Sequence, residues 1–213
     1  MRDHFRTKTL GIMGGTFDPV HYGHLIAAEN SRSEFGLDRV IFMPAARPPH
    51  KDGECVLDSH HRLKMVKLAI ASNPAFEIST LEQERQGFSY TINTVEYFRS
   101  RFPESQVFFI MGMDSLLMFD TWCDYERLAG LCRFIVVTRP GYVMDAGNPV
   151  LAELPSVLWE NLSMLEIPGM DISSSDIRRR VQLGLPIKYM VPAVVEDYIQ
   201  EHRLYREEES RNV

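Results

Sequence analysis

Two histidines, His21 and His24, stand on either side of Gly23 in the stretch GIMGGTFDPVHYGHL, residues 11–25. A neutral imidazole keeps one N–H donor, and phosphate oxygens accept such bonds, so two imidazoles converging on one point make an anion site. Gly14 and Gly15 come just before, where bare backbone permits tight turns and lets main-chain N–H groups approach a ligand. Pro19 stiffens the loop, and Gly23 is expected to leave room for the ligand. An apolar run ahead of the glycines reads as a strand and the residues after His24 as a helix, whose unpaired N–H groups and partial positive charge suit phosphate. In isolation His21 and His24 read equally as polar loop residues. A zinc pair is disfavoured, since no nearby Cys or Glu completes a ligand set. Neither GxGxxG nor GxxxxGK followed by Ser or Thr is present, which excludes a dinucleotide-binding fingerprint and a Walker-type loop.

A second constellation lies far along the chain in ISSSDIRRR, residues 172–180. Ser173, Ser174 and Ser175 precede a helix and Arg178 falls in its first turns. Serine caps with free N–H groups can hold phosphate, and Arg178 offers a planar, permanently charged fork to its oxygens. Alone, the segment reads more simply as a capped surface helix with a basic face. Trp122, set among polar neighbours in FDTWCDY, offers an aromatic face to a ring; the competing role is a core tryptophan.

The elements that must position these groups follow from hydrophobic pattern. Short runs rich in Ile, Val and Phe alternate with segments of helical period, the mark of parallel strands joined by crossover helices. Strands are predicted at Thr9–Met13, Arg39–Met43, Phe76–Ser79, Gln106–Met111, Arg133–Thr138 and Ser163–Ile167. Helices are predicted over 24–35, over 58–72 with Asp58 as cap, and over 89–102 ahead of Pro103. Two more follow the serines and span 191–205. Residues 139–155 read as a loop and a short helix. The fold class is α/β: a Rossmann-like parallel sheet flanked by helices, with a small C-terminal helical extension over about 172–205. One domain is expected at 9–205, between a tail at 1–8 and a frayed end at 206–213. Ligands in such sheets bind beyond the carboxyl ends of the strands.

The 213 residues, 45% hydrophobic and 24% charged with a net charge of −6, have the composition of a soluble globular protein. That charge gives no reason to expect nucleic acid or a membrane as partner, so any polyphosphate must meet a local positive site. Three cysteines without a CxxC pair suggest neither a disulfide framework nor a zinc ribbon, and fit a reducing cytoplasm. No apolar run is long enough to span a bilayer.

Taken together, GGTFDPVHYGHL and ISSSDIR resemble the nucleotidyltransferase superfamily that carries an HxGH motif and a C-terminal SxxxxR motif, here His21–His24 and Ser173–Arg178. The segments between resemble the bacterial nicotinate-nucleotide adenylyltransferases: MPAARPPHK (43–51), FSYTINT (88–94), GMDSLLMFDTW (112–122), VVTRPGY (136–142) and YMVPAVVEDYIQEHRLY (189–205). The likeness runs in order from residue 11 to 205. It implies a nucleotidyltransferase-type fold and adenylyl transfer from ATP to nicotinate mononucleotide, with pyrophosphate released and no covalent intermediate. It implies ATP contacts at Gly14, Gly15, Thr16, Phe17, His21, His24, Ser173–Ser175 and Arg178, with His24 at the transferring phosphate. Lys51 is implied as a further phosphate cation, against a solvated loop lysine. The pyridine nucleotide is implied at Tyr90, Thr91, Asp114, Trp122, Cys123 and Arg139, the last against a plain ion pair. Mg2+ is expected to be held mainly by ATP oxygens and water, with no protein metal site. Cys123 stands where an aromatic is common, and Ser175 where Thr is commoner. Nicotinamide mononucleotide as acceptor, sister transferases acting on phosphopantetheine or cytidylyl groups, and a non-catalytic nucleotide sensor are the alternatives; a homo-oligomer is left open.

Overall fold

The computed structural model describes residues 8–48, 56–85, 87–142 and 148–206. Apart from Lys8 and Arg206, the expected tails lie outside these residues, as does Lys51. Six strands form one parallel sheet: β1 (Thr9–Gly15), β2 (Arg39–Pro44), β3 (Phe76–Ile78), β4 (Gln106–Gly112), β5 (Arg133–Thr138) and β6 (Leu162–Glu166), in the order β3-β2-β1-β4-β5-β6. The chain leaves β1 toward β2 on one side and returns to pair β4 on the other. The switch point therefore lies at the carboxyl ends of β1 and β4, where Gly15 and Gly112 end their strands.

Strands buried on both faces read as continuous apolar runs, and alternate residues feed two separate cores. Val40, Phe42, Phe108 and Ile110 face one layer; Ile41, Met43, Phe109 and Met111 face the other. The first layer is closed by α1 (Tyr22–Glu34) and α2 (Ser59–Ile70). The second is closed by α3 (Leu81–Glu84), α4 (Thr91–Arg101), α5 (Met113–Leu116), a 3-10 turn at Phe119–Thr121, α6 (Tyr125–Ala129), α7 (Pro149–Ala152) and α8 (Ser156–Asn161). α9 (Ser174–Gln182) and α10 (Ala193–Glu201) complete the C-terminal part. They share the first core through Ile177, Val195, Tyr198 and Ile199, so the C-terminal helices are sealed into the fold.

The predicted strands are found with ends shifted by a residue or two. Asp58 caps α2 as expected, its Oδ1 accepting from the His60 N–H at 2.7 Å. The short α3, α5, α6 and α8 were not predicted, because four to six residues are too few to display a helical period. Among the described residues no helix is long and apolar enough to cross a membrane.

Candidate active site

β1 delivers its last residues into a turn that ends at His21, the extended residue capping α1 (φ −146°, ψ 172°). The His21 backbone N–H donates to Nδ1 of His24 at 3.2 Å. That bond requires Nδ1 to be unprotonated, so neutral His24 carries its proton on Nε2, the nitrogen left to act as a donor. The two imidazoles lie 3.8 Å apart between centroids and 31° from parallel, and Phe17 meets His24 edge-on at 5.0 Å. A Cβ on Gly23 would stand 3.0 Å from both Cε1 and Nδ1 of His21. The room that Gly23 provides is thus filled by the His21 ring, where the sequence suggested it was kept for a ligand.

Burial, reinforced by Arg139, pushes the His21 pKa down to about 4, and burial beside His21 holds His24 well below the ordinary histidine value. Near neutral pH both rings are uncharged donors. Nδ1 of His21 is buried beside Gly23, and the His21 and His24 side chains form the reciprocal cap of α1, each turned to the other's backbone N–H.

α9 is tied directly onto this corner. Ser173 Oγ caps the helix by accepting from the Asp176 N–H at 3.1 Å, and Ser174 Oγ donates to Pro19 O at 2.9 Å. Arg178 Nη1 donates to Asp18 O at 2.8 Å and lies 3.9 Å from Asp18 Oδ2, while Nη2 reaches Ser175 Oγ at 3.4 Å. The two motifs therefore meet through Asp18, 160 residues before Arg178, and Pro19. Asp18 is itself a buried hub: Oδ1 accepts from the Tyr205 hydroxyl at 2.8 Å and Oδ2 from the Leu57 N–H at 3.4 Å. Burial and the Asp18 carboxylate raise the Tyr205 pKa far above its ordinary value, keeping the phenol a donor.

Sequence reasoning missed Asp18, Tyr205 and Arg62. The signal for Arg62 was present: it shares the apolar stripe of α2 with Met65, Val66 and Ala69, where a charge needs a reason. An acidic residue inside an anion-binding loop was a second sign that a cation must face it. Tyr205 carried no local sign, since it sits in a stretch read as the end of a helix.

A cavity of about 730 Å³ opens beside the corner, over the carboxyl ends of β1 and β4. It is lined by Gly14, Gly15 and Thr16 on one side and by Tyr90, Thr91, Trp122 and Cys123 on the other. Trp122 is half-buried, one side packed on Phe109 (5.8 Å, edge-on) and Phe119 (5.3 Å), so it is both core and wall. Glu82 also lines the cavity; burial raises its pKa, and Thr94 Oγ1 donates to it at 2.8 Å.

Not every predicted residue reaches this space. Phe17 is buried beneath the corner at φ 50°, so its ring shapes the turn and only its backbone remains for a ligand. Asp114 is exposed in the first turn of α5 and is not part of the lining. Arg139 is exposed and paired with Asp171 at 2.6 Å, on the histidine side. Among the described residues no three His, Cys, Asp or Glu side chains converge as ligands for an ion.

Strand order places the paired-histidine corner at the switch point, with an arginine-bearing helix docked on it. The cytidylyltransferase-like family matches residues 12–180. A protein of Moorella thermoacetica named a probable nicotinate-nucleotide adenylyltransferase is 48% identical over 202 residues, covering 94% of this chain and 93% of its own. One of the same name from Thermoanaerobacter is 47% identical over 212 residues, covering 98% and 99%. The chain belongs to the cytidylyltransferase-like nucleotidyltransferases and, within them, to the nicotinate-nucleotide adenylyltransferase family. The Plasmodium falciparum nicotinic acid mononucleotide adenylyltransferase solved with NaAD superposes with a TM-score of 0.77 at 21% identity, covering 93% of this chain and 97% of that one, and shows the same fold.

Proposed function

We propose that this enzyme transfers the adenylyl group of ATP to nicotinate mononucleotide, giving nicotinate adenine dinucleotide and pyrophosphate, a step of NAD biosynthesis. The observation that carries it is the double role of Gly14–Thr16, which wall the cavity at one end and lead into the histidine corner at the other. Two reactants held on these two sides meet at the end of β1.

An oxygen of the mononucleotide phosphate attacks the α-phosphorus of ATP as the bond to the β-phosphate bridging oxygen breaks and pyrophosphate leaves. That phosphate is mostly ionised at neutral pH, its second pKa being about 6, so no general base is required. Catalysis then consists of in-line placement and stabilisation of charge moving to the leaving group. His24 donates from Nε2 to the transferring phosphate and His21 to a neighbouring oxygen; Arg178 and the Ser173–Ser175 turn hold the β- and γ-phosphates, with Lys51 adding charge. ATP enters as its magnesium complex, the ion held by phosphate oxygens and water.

In the cavity the pyridinium ring stacks on Trp122, whose π face attracts its positive charge. Backbone N–H groups near Tyr90 and Cys123 and the Thr91 hydroxyl receive the nicotinate carboxylate. A carboxamide would turn an NH₂ toward these donors, which disfavours nicotinamide mononucleotide. Asp114 accepts from ribose hydroxyls, and Arg139 exchanges Asp171 for a sugar or phosphate contact. Pyrophosphate release measured with the two mononucleotides side by side tests the proposal. Turnover with the acid form is expected; none with either rejects the activity, and preference for the amide rejects the specificity.

A further inference from the structure

Arg62 is the largest fully buried side chain among the described residues, 1% exposed. Its guanidinium makes three hydrogen bonds, all to main-chain carbonyls: Nε to Leu57 O at 2.8 Å, Nη1 to Thr16 O at 2.7 Å and Nη2 to Ala46 O at 3.1 Å. Asp18 and Glu82 favour its charge without a hydrogen bond to it, and burial still lowers its pKa. A sealed cation with no carboxylate bonded to it among the described residues is a costly way to fill a core, and an apolar side chain of like volume would serve packing better.

What the fork does that an apolar residue could not is fix two loops at one spacing. Thr16 belongs to the turn that ends at His21. Ala46 belongs to the loop after β2, which roofs the cavity: Ala46 and Arg47 donate their N–H groups to Ser89 Oγ at 3.0 and 3.3 Å, and Ser89 N–H donates back to Arg47 O at 3.0 Å. The Arg47 guanidinium lies 4.3 Å above the Phe88 ring. Ser89 leads directly into Tyr90 and Thr91. The Ala45 N–H also donates to Gly15 O at 2.9 Å, so the roof and the phosphate turn share a seam with Arg62 beneath it.

We propose that Arg62 is a positioning residue that couples the two substrate loops, so that a pyridine mononucleotide in the cavity tightens ATP binding at the histidine corner, and the reverse by the same factor. This rests on the two-substrate function proposed above. Ordering either loop on its ligand holds its carbonyl still against the shared guanidinium, and the second ligand then meets a loop already in place.

Calorimetric titration with an α,β-methylene ATP analogue, with and without nicotinate mononucleotide, measures the coupling. In the unaltered protein each ligand is expected to tighten the other by about fivefold or more. In Arg62→Lys, which keeps a charge but cannot span three carbonyls, the factor falls below about twofold while single-ligand affinities change less. Independent binding in the unaltered protein, or an undiminished factor in Arg62→Lys, overturns the proposal. Should the variant fail to fold, hydrogen exchange on the unaltered protein decides. Nicotinate mononucleotide alone is expected to slow exchange at 17–20, beyond the cavity wall, and the ATP analogue alone at 45–48 and 89–91. Protection confined to the loop that holds each ligand overturns it. Turnover with uncoupled binding defeats the coupling alone, whereas failure of nicotinate mononucleotide to bind defeats the functional proposal with it.

Discussion

His24 holds its proton on Nε2, while its ring packs against His21 and Phe17 and its Nδ1 accepts the His21 N–H, so removing it takes away a donor and a cap together. His24→Ala is expected to lower kcat by about 10²–10³-fold, the usual loss for one donor to transition-state charge, with KM for both substrates little changed and a cooperative melting transition lowered by the lost cap, about 1 kcal/mol; steady-state kinetics beside calorimetry checks this. Gly23→Ala is expected to lower kcat less than His24→Ala does, since the new methyl, 3.0 Å from the His21 ring, shifts that ring only slightly. His21 adds a pH dependence whose sign follows from its low pKa. The unfolded chain binds a proton at the ordinary value near 6.5 and the folded chain only near 4, so stability is full above about 6.5 and falls as pH drops toward 4. Denaturant titrations at pH 7 and pH 4.5 are expected to differ by up to about 3 kcal/mol from this residue, and His21→Asn to narrow the gap. Trp122→Ala is expected to raise KM for the pyridine nucleotide above all, and Trp122→Phe to recover most of it. An effect on ATP alone removes the stacking role.

At the scale of elements, the docking of α9 on the turn before α1 sets the relation between Arg178 and the histidines. Tyr205→Phe deletes the hydroxyl that holds Asp18, and is expected to cost about 1–3 kcal/mol of stability and to raise KM for ATP without altering the pyridine nucleotide. Denaturation and kinetics on one preparation check both. What the sequence made legible at this scale follows from length and adjacency. The long apolar strands and α1, α2, α4 and α10 announce themselves by pattern; His21, His24, Ser173–Ser175 and Arg178 stand close together in their motifs. Asp18, Arg62 and Tyr205 gain their meaning only from partners such as Tyr205 with Asp18, 187 residues apart. The short α5 and the 3-10 turn that presents Trp122 escape for a different reason: they are set by β4 and the cavity wall, with too few residues to show a period of their own.

Across the whole molecule, a net charge of −6 coexists with a site for two anions. In the proposed arrangement the attraction is local, supplied by the imidazole donors, Arg178 and the N-termini of α1 and α9. Each substrate binds only the folded chain, so at 100 times its Kd it is expected to stabilise the protein by about 2.7 kcal/mol, a rise of roughly 5–10 °C in Tm for a chain of this size. Thermal scans with each nucleotide alone check it. Alternating hydrophobic pattern made the parallel sheet legible, but not the order β3-β2-β1-β4-β5-β6, because pattern reports burial and not neighbours.

The bond between Tyr205 and Asp18 also bears on how the enzyme comes into being. On the ribosome the histidine corner emerges early, and the strands can pair as they follow. Until residue 205 clears the exit tunnel, however, Asp18 lacks its phenol and α10 has just begun to close the first core. The contacts that dock α9 and Tyr205 on the turn before His21 are therefore made only after the whole sheet has emerged, and a nascent chain stalled before α9 carries both histidines without the helix that packs against them.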